Sequence, residues 1–288
     1  MRRILSTIIV FGLASAATLL PAQRNAPDEK VQSGTGQHPG FDRNLYPGDA
    51  ALPALRRHFA FAGYWLNNPP GENVNSWQGK REILLGNNFG FLVLFNGRLD
   101  AEIQRAGRKG TSPAALGRQD ATAAIAAAQR EHFPKGTIVF LDQEEGGRLL
   151  PEQSAYLFAW TEAVATSSYL PGVYLSGQPV PDSPGKTITT AQDVREQIAA
   201  KHLHPVALFV YQDACPPSNG CTVTPPSIKA SGTPDIAVWQ YAQSPRRPEI
   251  TRSCSKTYAR DNNCYAPDVP GIFLDMSVAT SDDPSRGR

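Results

Sequence analysis

Eight short runs of apolar residues recur along this chain, separated by polar, turn-rich or helix-forming stretches. They fall at residues 40–44 (GFDRN), 59–66 (FAFAGYWL), 89–96 (FGFLVLFN), 137–147 (TIVFLDQEEGG), 170–177 (LPGVYLSG), 205–212 (PVALFVYQ), 235–242 (DIAVWQYA) and 271–277 (GIFLDMS). Most are apolar at both alternate positions, the mark of parallel strands covered on both faces rather than wetted on one. The connectors 51–59, 117–133, 151–168 and 191–202 have helical composition, and the Ala-rich stretch before Pro134 is the clearest. Strands alternating with helices predict a parallel α/β sheet. Eight strands in this length predict a closed (β/α)8 TIM-like barrel over residues 41–279. An open doubly wound sheet is the other arrangement the pattern allows. No helix is predicted between the sixth and seventh strands, where CPPSNGCTVTPPS stands instead, so the barrel is expected to be irregular there.

The ends of the chain read differently. Arg2 and Arg3 precede an apolar stretch from Ile4 to Leu20, with Ala14-Ser15-Ala16 supplying small residues. This predicts a cleaved signal peptide over residues 1–22, cut after Ala16 or Ala22, and a secreted or periplasmic protein. A membrane anchor is the alternative, but Ser6, Thr7 and Ser15 interrupt the stretch and it is short for a span. Residues 23–40 are polar without periodicity and read as a flexible linker; residues 280–288 read as a loose tail.

Of the 288 residues, 41% are hydrophobic, enough for a sizeable core, and the formal net charge is +2. Cleavage of the signal removes both arginines and leaves a formal charge of zero. No basic cluster interleaved with aromatics and no phosphate-cradling glycine loop occurs, so nucleic acid is not an expected partner. Four cysteines sit late in the chain, at Cys215, Cys221, Cys254 and Cys264. Three pairings are possible. The turn-rich stretches CPPSNGC and CSKTYARDNNC favour two short-loop disulfides between neighbours in sequence. No C-x-x-C pair exists, which argues against zinc.

Chemistry concentrates at the strand ends. Asp142 and Glu144 are two residues apart, so in extended backbone they share a face with Ile138 and Phe140. An apolar interior row would thus end in two acids at the mouth of a barrel, where barrel active sites lie. Glu145 has the opposite parity and is expected to turn away. The plain alternative is a solvated loop whose acids cap the helix near Pro151. Asp42 ends the first strand and Asp275 the last, and these strands are neighbours in a closed barrel. Two close carboxylates raise one another's proton affinity, as a general acid at neutral pH requires. Aromatics accompany the acids: Tyr64 and Trp65 on strand two, Tyr174 on strand five, Trp239 and Tyr241 on strand seven. Clustered acids cleave glycosidic bonds and aromatic faces stack on sugars, although for any one aromatic core packing is the simpler account. Gln240 is a candidate hydrogen-bonder to substrate.

As an ordered set, FDRN, LDQE, VWQY and LDMS resemble the family-25 glycoside hydrolases, the Chalaropsis-type lysozymes. That family carries an Asp on the first strand, D-x-E on the fourth, W-Q-Y on a late strand and a final D-x-N. The layout, with GVYLSG and the Ala-rich helix before strand four, is more similar to a related group, the DUF1906 glycoside-hydrolase-like domains of secreted bacterial proteins. The resemblance spans residues 40–279. It implies that Glu144 is the general acid and Asp142 its partner carboxylate, orienting an N-acetyl group or stabilising positive charge. It implies further that Asp42 and Asp275 tune those charges and hold the sugar, with Tyr64, Tyr174, Trp239, Gln240 and Tyr241 binding substrate. Ser277, Arg43, Glu145 and the cysteine loops depart from the family pattern.

The function so implied is a secreted glycosidase acting on a cell-wall glycan such as peptidoglycan, working as a monomer without cofactor or metal. A non-catalytic carbohydrate-binding barrel of the same shape is the alternative, since fold does not guarantee chemistry. For a metal-dependent hydrolase only His202 and His204 have ligand-like spacing, at the end of the barrel away from the acids. A helix C-terminus with solvated imidazoles explains them. Ser176 in YLSG lacks the flanking pattern of a nucleophile elbow.

Overall fold

The structure, a computed structural model, describes residues 36–288. The expected signal peptide, and the expected linker as far as residue 35, lie outside the described residues. In chain order the elements are β1 (His38–Asp42), α1 (Leu52–Arg56), β2 (Phe61–Trp65), α2 (Arg81–Gly86), β3 (Gly90–Asn96), α3 (Asp100–Arg108), α4 (Pro113–Arg130), β4 (Ile138–Asp142) and α5 (Pro151–Ala165). There follow β5 (Leu170–Ser176), β6 (Val180–Ser183), β7 (Lys186–Ile188), α6 (Thr190–Lys201), β8 (Ala207–Tyr211), β9 (Val238–Ala242) and β10 (Asp275–Ala279). All eight apolar runs overlap the strands of a closed barrel, ordered β1-β10-β9-β8-β5-β4-β3-β2. β6 and β7 form a separate hairpin between β5 and α6.

The barrel departs from a regular (β/α)8 form at its seam. β10 runs antiparallel to both β1 and β9. The 32 residues between β9 and β10 contain no α-helix, only a 3-10 helix at Arg252–Thr257, and the chain returns beside β9 in the opposite direction. Between β8 and β9, likewise, only the 3-10 helix Ile228–Ser231 occurs, in the stretch expected to be irregular.

On the outside, α4 and α5 are the principal pair. Ser112 caps α4 by accepting from the Ala115 amide, and Pro113 occupies the first turn. A Cβ on Gly117 would lie 2.3 Å from the Tyr156 carbonyl oxygen. The missing side chain therefore lets the two helix backbones touch, and the Ala-rich face of α4 (Ala121, Ala124, Ala128) is fully buried there. Buried Asp120 at this junction accepts from Arg98 and from the Tyr156 hydroxyl.

Residues 280–288 are not a loose tail. The segment crosses the bottom of the barrel at the starts of β3 and β4. The Phe91 amide donates to Asp283 and the Val93 amide to the Ser285 hydroxyl, while the Ser285 amide donates to the Phe91 carbonyl and the Ile138 amide to the Ser285 carbonyl. Backbone groups that neither strand can satisfy at this end find their partners here. The linker expected over 23–40 is likewise shorter, because its last three residues already belong to β1.

The cysteines form two pairs, but across loops rather than within them. Cys215 is bonded to Cys254. Cys221 and Cys264 are thiols that share a hydrogen bond. The short-loop pairing is thereby corrected: the segment around Cys215 and the 3-10 helix holding Cys254 lie side by side, with the Cys215 amide donating to the Ile250 carbonyl. The bridge spans 39 residues. In the chain-entropy account a loop of that length stabilises by roughly 4 kcal/mol. Peptide mapping of the unreduced chain is expected to yield a Cys215–Cys254 cross-link, and Cys254→Ala to lower the unfolding free energy by up to about that amount; a Cys215–Cys221 peptide would contradict the arrangement.

Candidate active site

At the C-terminal rim of the parallel strands lies a cavity of about 260 Å³. Asp42, Asp142, Glu144 and Asp275 all line it. β1 and β4 deliver Asp42 and Asp142 as their last residues. Asp275 arrives by a different route. It is the first residue of its strand, and because β10 is reversed its start lies at the same rim, with Asp42 and Asp275 paired in register. Room for Asp42 comes from Gly63 on β2: a Cβ there would lie 2.5 Å from the Asp42 Cβ.

Neutral groups hold the acids in place. The Gln240 side-chain amide donates to Asp42, at 3.2 and 3.4 Å, and to Asp275 at 3.4 Å. Its orientation is fixed from the other side, where its oxygen accepts from the Tyr174 hydroxyl at 2.6 Å and from Gln243 at 3.0 Å. The Ser244 amide donates to Asp275 at 2.6 Å. Asp142 has no such support: its Oδ1 is buried and without a hydrogen-bond partner. Glu144 is exposed at the mouth, and its backbone carbonyl accepts from the Tyr211 hydroxyl at 2.8 Å. Glu145 turns away, as its parity predicts. It accepts from the Asp100 amide at the start of α3 and from Gln143 and Gln153. The helix-capping explanation thus holds for Glu145, though the helix it caps is α3 rather than α5.

Crowding acids out of water favours their neutral forms. Burial pushes Asp42 up to about 7, against the opposing hydrogen bond from Gln240. Asp142 is held well above the usual carboxylate range by burial, then by the charges of Glu144 and Asp42. Asp275 is raised by burial and then by Asp42, and Glu144 by its protein surroundings and then by Glu145. A carboxyl raised in the folded state binds its proton more tightly there than in the unfolded chain. For Asp42 that stabilisation is complete below the ordinary value of 3.8 and is lost as pH rises through about 7. The thermal midpoint is therefore expected to fall between pH 5 and pH 8. Asp42→Asn should remove part of the fall, on the order of 3 kcal/mol at most; a midpoint that rises over this interval would contradict the assignment.

Not every expected residue reaches the cavity. Tyr174 and Gln240 do. Tyr64, Trp239 and Tyr241 do not: all three are fully buried and their polar atoms are already engaged. Tyr64 donates to Glu131, Trp239 to the Gln212 carbonyl and Tyr241 to the Thr222 carbonyl. Strand alternation accounts for this. With Gln240 pointing in, Trp239 and Tyr241 must point out, and with Gly63 and Trp65 inward, Tyr64 packs outside against Trp77 and Phe133. Trp65 lines the cavity in its place, and so does Phe273, 39% exposed beside Tyr265. Gln243 and Ser244, just past β9, also belong to the site, and nothing in their sequence context sets them apart. A neighbouring depression of about 330 Å³ shares Glu144, Tyr174, Gln243, Ser244 and Asp275 with the cavity, so the two form one elongated cleft.

His202 and His204 lie at the end of α6, where the His204 ring contacts Glu162. Among the described residues no group of three or more His, Cys, Asp or Glu side chains is placed to hold a metal ion, and no helix is long and apolar enough to cross a membrane.

Among solved structures, an uncharacterized B. stearothermophilus protein is similar over 84% of this chain and 95% of its own, at 19% identity and a TM-score of 0.54. The Tat-secreted Mycobacterium tuberculosis protein Rv2525c, in complex with HEPES, covers 88% of this chain and 98% of its own, at 14% identity and a TM-score of 0.49. The catalytic domain of endolysin ply40 from bacteriophage P40 of Listeria monocytogenes has the same coverages and identity, with a TM-score of 0.46. No curated protein matches the chain in sequence. Residues 83–209, which hold Asp142 and Glu144, match the family described as the Rv2525c-like, glycoside hydrolase-like domain, the DUF1906 group that the strand-end pattern resembles.

Proposed function

We propose that this chain is an exported glycoside hydrolase that cleaves a cell-wall glycan of the peptidoglycan type. The observation that carries the reading is the convergence of four carboxyl groups, from β1, β10 and the end of β4, on one cleft at the barrel mouth. An elongated cleft suits a polymer lying across the rim, and Phe273, exposed beside it, offers apolar surface to a sugar ring. Export is supported by the N-terminal pattern and by the Cys215–Cys254 bond, since disulfides persist in oxidising compartments.

In this mechanism Glu144 is the general acid. Its proton affinity is raised, which favours the protonated form, and its exposure places the proton where a leaving glycosidic oxygen can take it. Asp142 is the partner carboxylate. Its unsatisfied Oδ1 accepts a substrate N–H, or faces the positive charge that develops at the anomeric carbon. Asp42 and Asp275, braced by Gln240 and Ser244, set the field around Asp142 and hold hydroxyls. Release of reducing ends from purified peptidoglycan tests the proposal.

A sugar-binding barrel without turnover is favoured by one observation. Asp42, Asp142 and Asp275 are all pushed toward their neutral forms, in which they hydrogen-bond to hydroxyls but do not stabilise positive charge. Saturable binding with no new reducing ends would select that reading.

A further inference from the structure

Arg43 follows Asp42 directly and departs from the pattern of the related lysozymes. Among the described residues it is the only Lys or Arg lining the cavity. Its guanidinium lies over the Phe273 ring, 5.5 Å from the ring centre, a cation–π contact that holds the group beside the cavity. Its Nε is buried without a hydrogen-bond partner, and among the described residues the side chain forms no ion pair.

This is unexpected beside four acids, and the cause is geometric. Asp42 and Asp275 are committed to Gln240 and to the Ser244 amide, and Glu145 is committed to α3. Neutral donors hold the acids where a cation would otherwise pair with them. In the adjoining depression the corresponding cation, Arg247, is neutralised by Asp213. Arg43 alone faces the cavity with its charge unspent. Leaving the buried Nε of Arg43 without an acceptor is costly, and a ligand that supplies one recovers that cost.

We propose that Arg43 is a specificity-determining residue that reads a carboxylate on the sugar bound in the cavity, so that the substrate class is an acidic glycan. A planar guanidinium and a carboxylate match in two parallel hydrogen bonds. A single negative charge also suits a site already crowded with acids better than a doubly charged phosphate ester does. The assignment deepens the glycosidase reading and rests on it for the position of the sugar, but binding alone can be used to examine it.

The experiment compares a solubilised peptidoglycan glycan bearing free lactyl carboxylates with the same glycan after the carboxylates are reduced to alcohols. Both are offered to the full chain, to Arg43→Gln and to Arg43→Lys, and kcat/KM is read by reducing-end release. Affinity is read by calorimetry on a Glu144→Gln background, with each thermal midpoint as the folding control. The wild type is expected to prefer the acidic glycan about tenfold. Arg43→Gln should bring that ratio close to one, and Arg43→Lys should keep part of it, because the charge remains while the paired hydrogen bonds do not. Equal loss on both glycans in Arg43→Gln, no preference in the wild type, or binding of neither glycan overturns the assignment. Preferential binding without cleavage would sink the glycosidase reading and leave the role of Arg43 standing.

Discussion

Replacing Glu144 by Gln is expected to lower reducing-end release from peptidoglycan by roughly 10²- to 10⁴-fold. The amide keeps the shape and most hydrogen-bonding capacity of the acid but carries no transferable proton. Because Glu144 is exposed and no side-chain partner depends on it, the thermal midpoint should barely move. Glu145→Gln provides the contrast. Its carboxylate accepts from the Asp100 amide at the first turn of α3, so its loss should show as reduced stability. The pH profile gives a second reading. A general acid must be protonated, so activity falls as pH rises through the raised value of Glu144; a partner carboxylate must be ionised, so activity also falls as pH drops below the raised value of Asp142. Glu144→Gln should remove the alkaline limb. Unchanged turnover in Glu144→Gln would end the proposal that this residue is the acid.

A chain ending at Thr280 is expected to lose most of its stability. The missing segment satisfies the amides of Phe91, Val93 and Ile138 and the carbonyl of Phe91 at the barrel bottom. Four buried backbone groups left without partners cost roughly 1–3 kcal/mol each, against a total of about 5–15 kcal/mol for a domain. Even with water entering the opened end, cooperative thermal unfolding should be weakened or lost, whereas Ser285→Ala, which removes one acceptor, should cost roughly 1–2 kcal/mol. A truncated chain that melts at the wild-type temperature would show that the barrel bottom closes by other means.

The eight strands were legible because burial on both faces leaves an apolar run in any orientation. For the same reason the direction of β10 was not legible: Ile272 to Met276 reads alike in a parallel or a reversed strand. Asp275 was placed at the correct rim through the wrong end of its strand, and the reversal of β10 is what brings it there. The helices α2 and α3 are not legible in the sequence because α2 has only six residues and α3 is short and polar, its start secured from outside by Glu145. Strand parity is legible in the sequence and decides which aromatics face the cavity. The alternation that puts Asp142 and Glu144 on one face also forces Trp239 and Tyr241 to the opposite side from Gln240. The cysteine pairing depended on distance between loops, and turn content carries no information about distance.

Reversed β10 has a bearing on how the molecule is made. Barrel closure joins the first strand to the last, so the contact that completes the rim has nearly the largest sequence separation the domain offers. Contacts of that kind raise contact order and form late. A nascent chain therefore holds Asp42 long before it holds the strand that must lie beside it. The acidic cleft therefore comes into being only with the finished barrel.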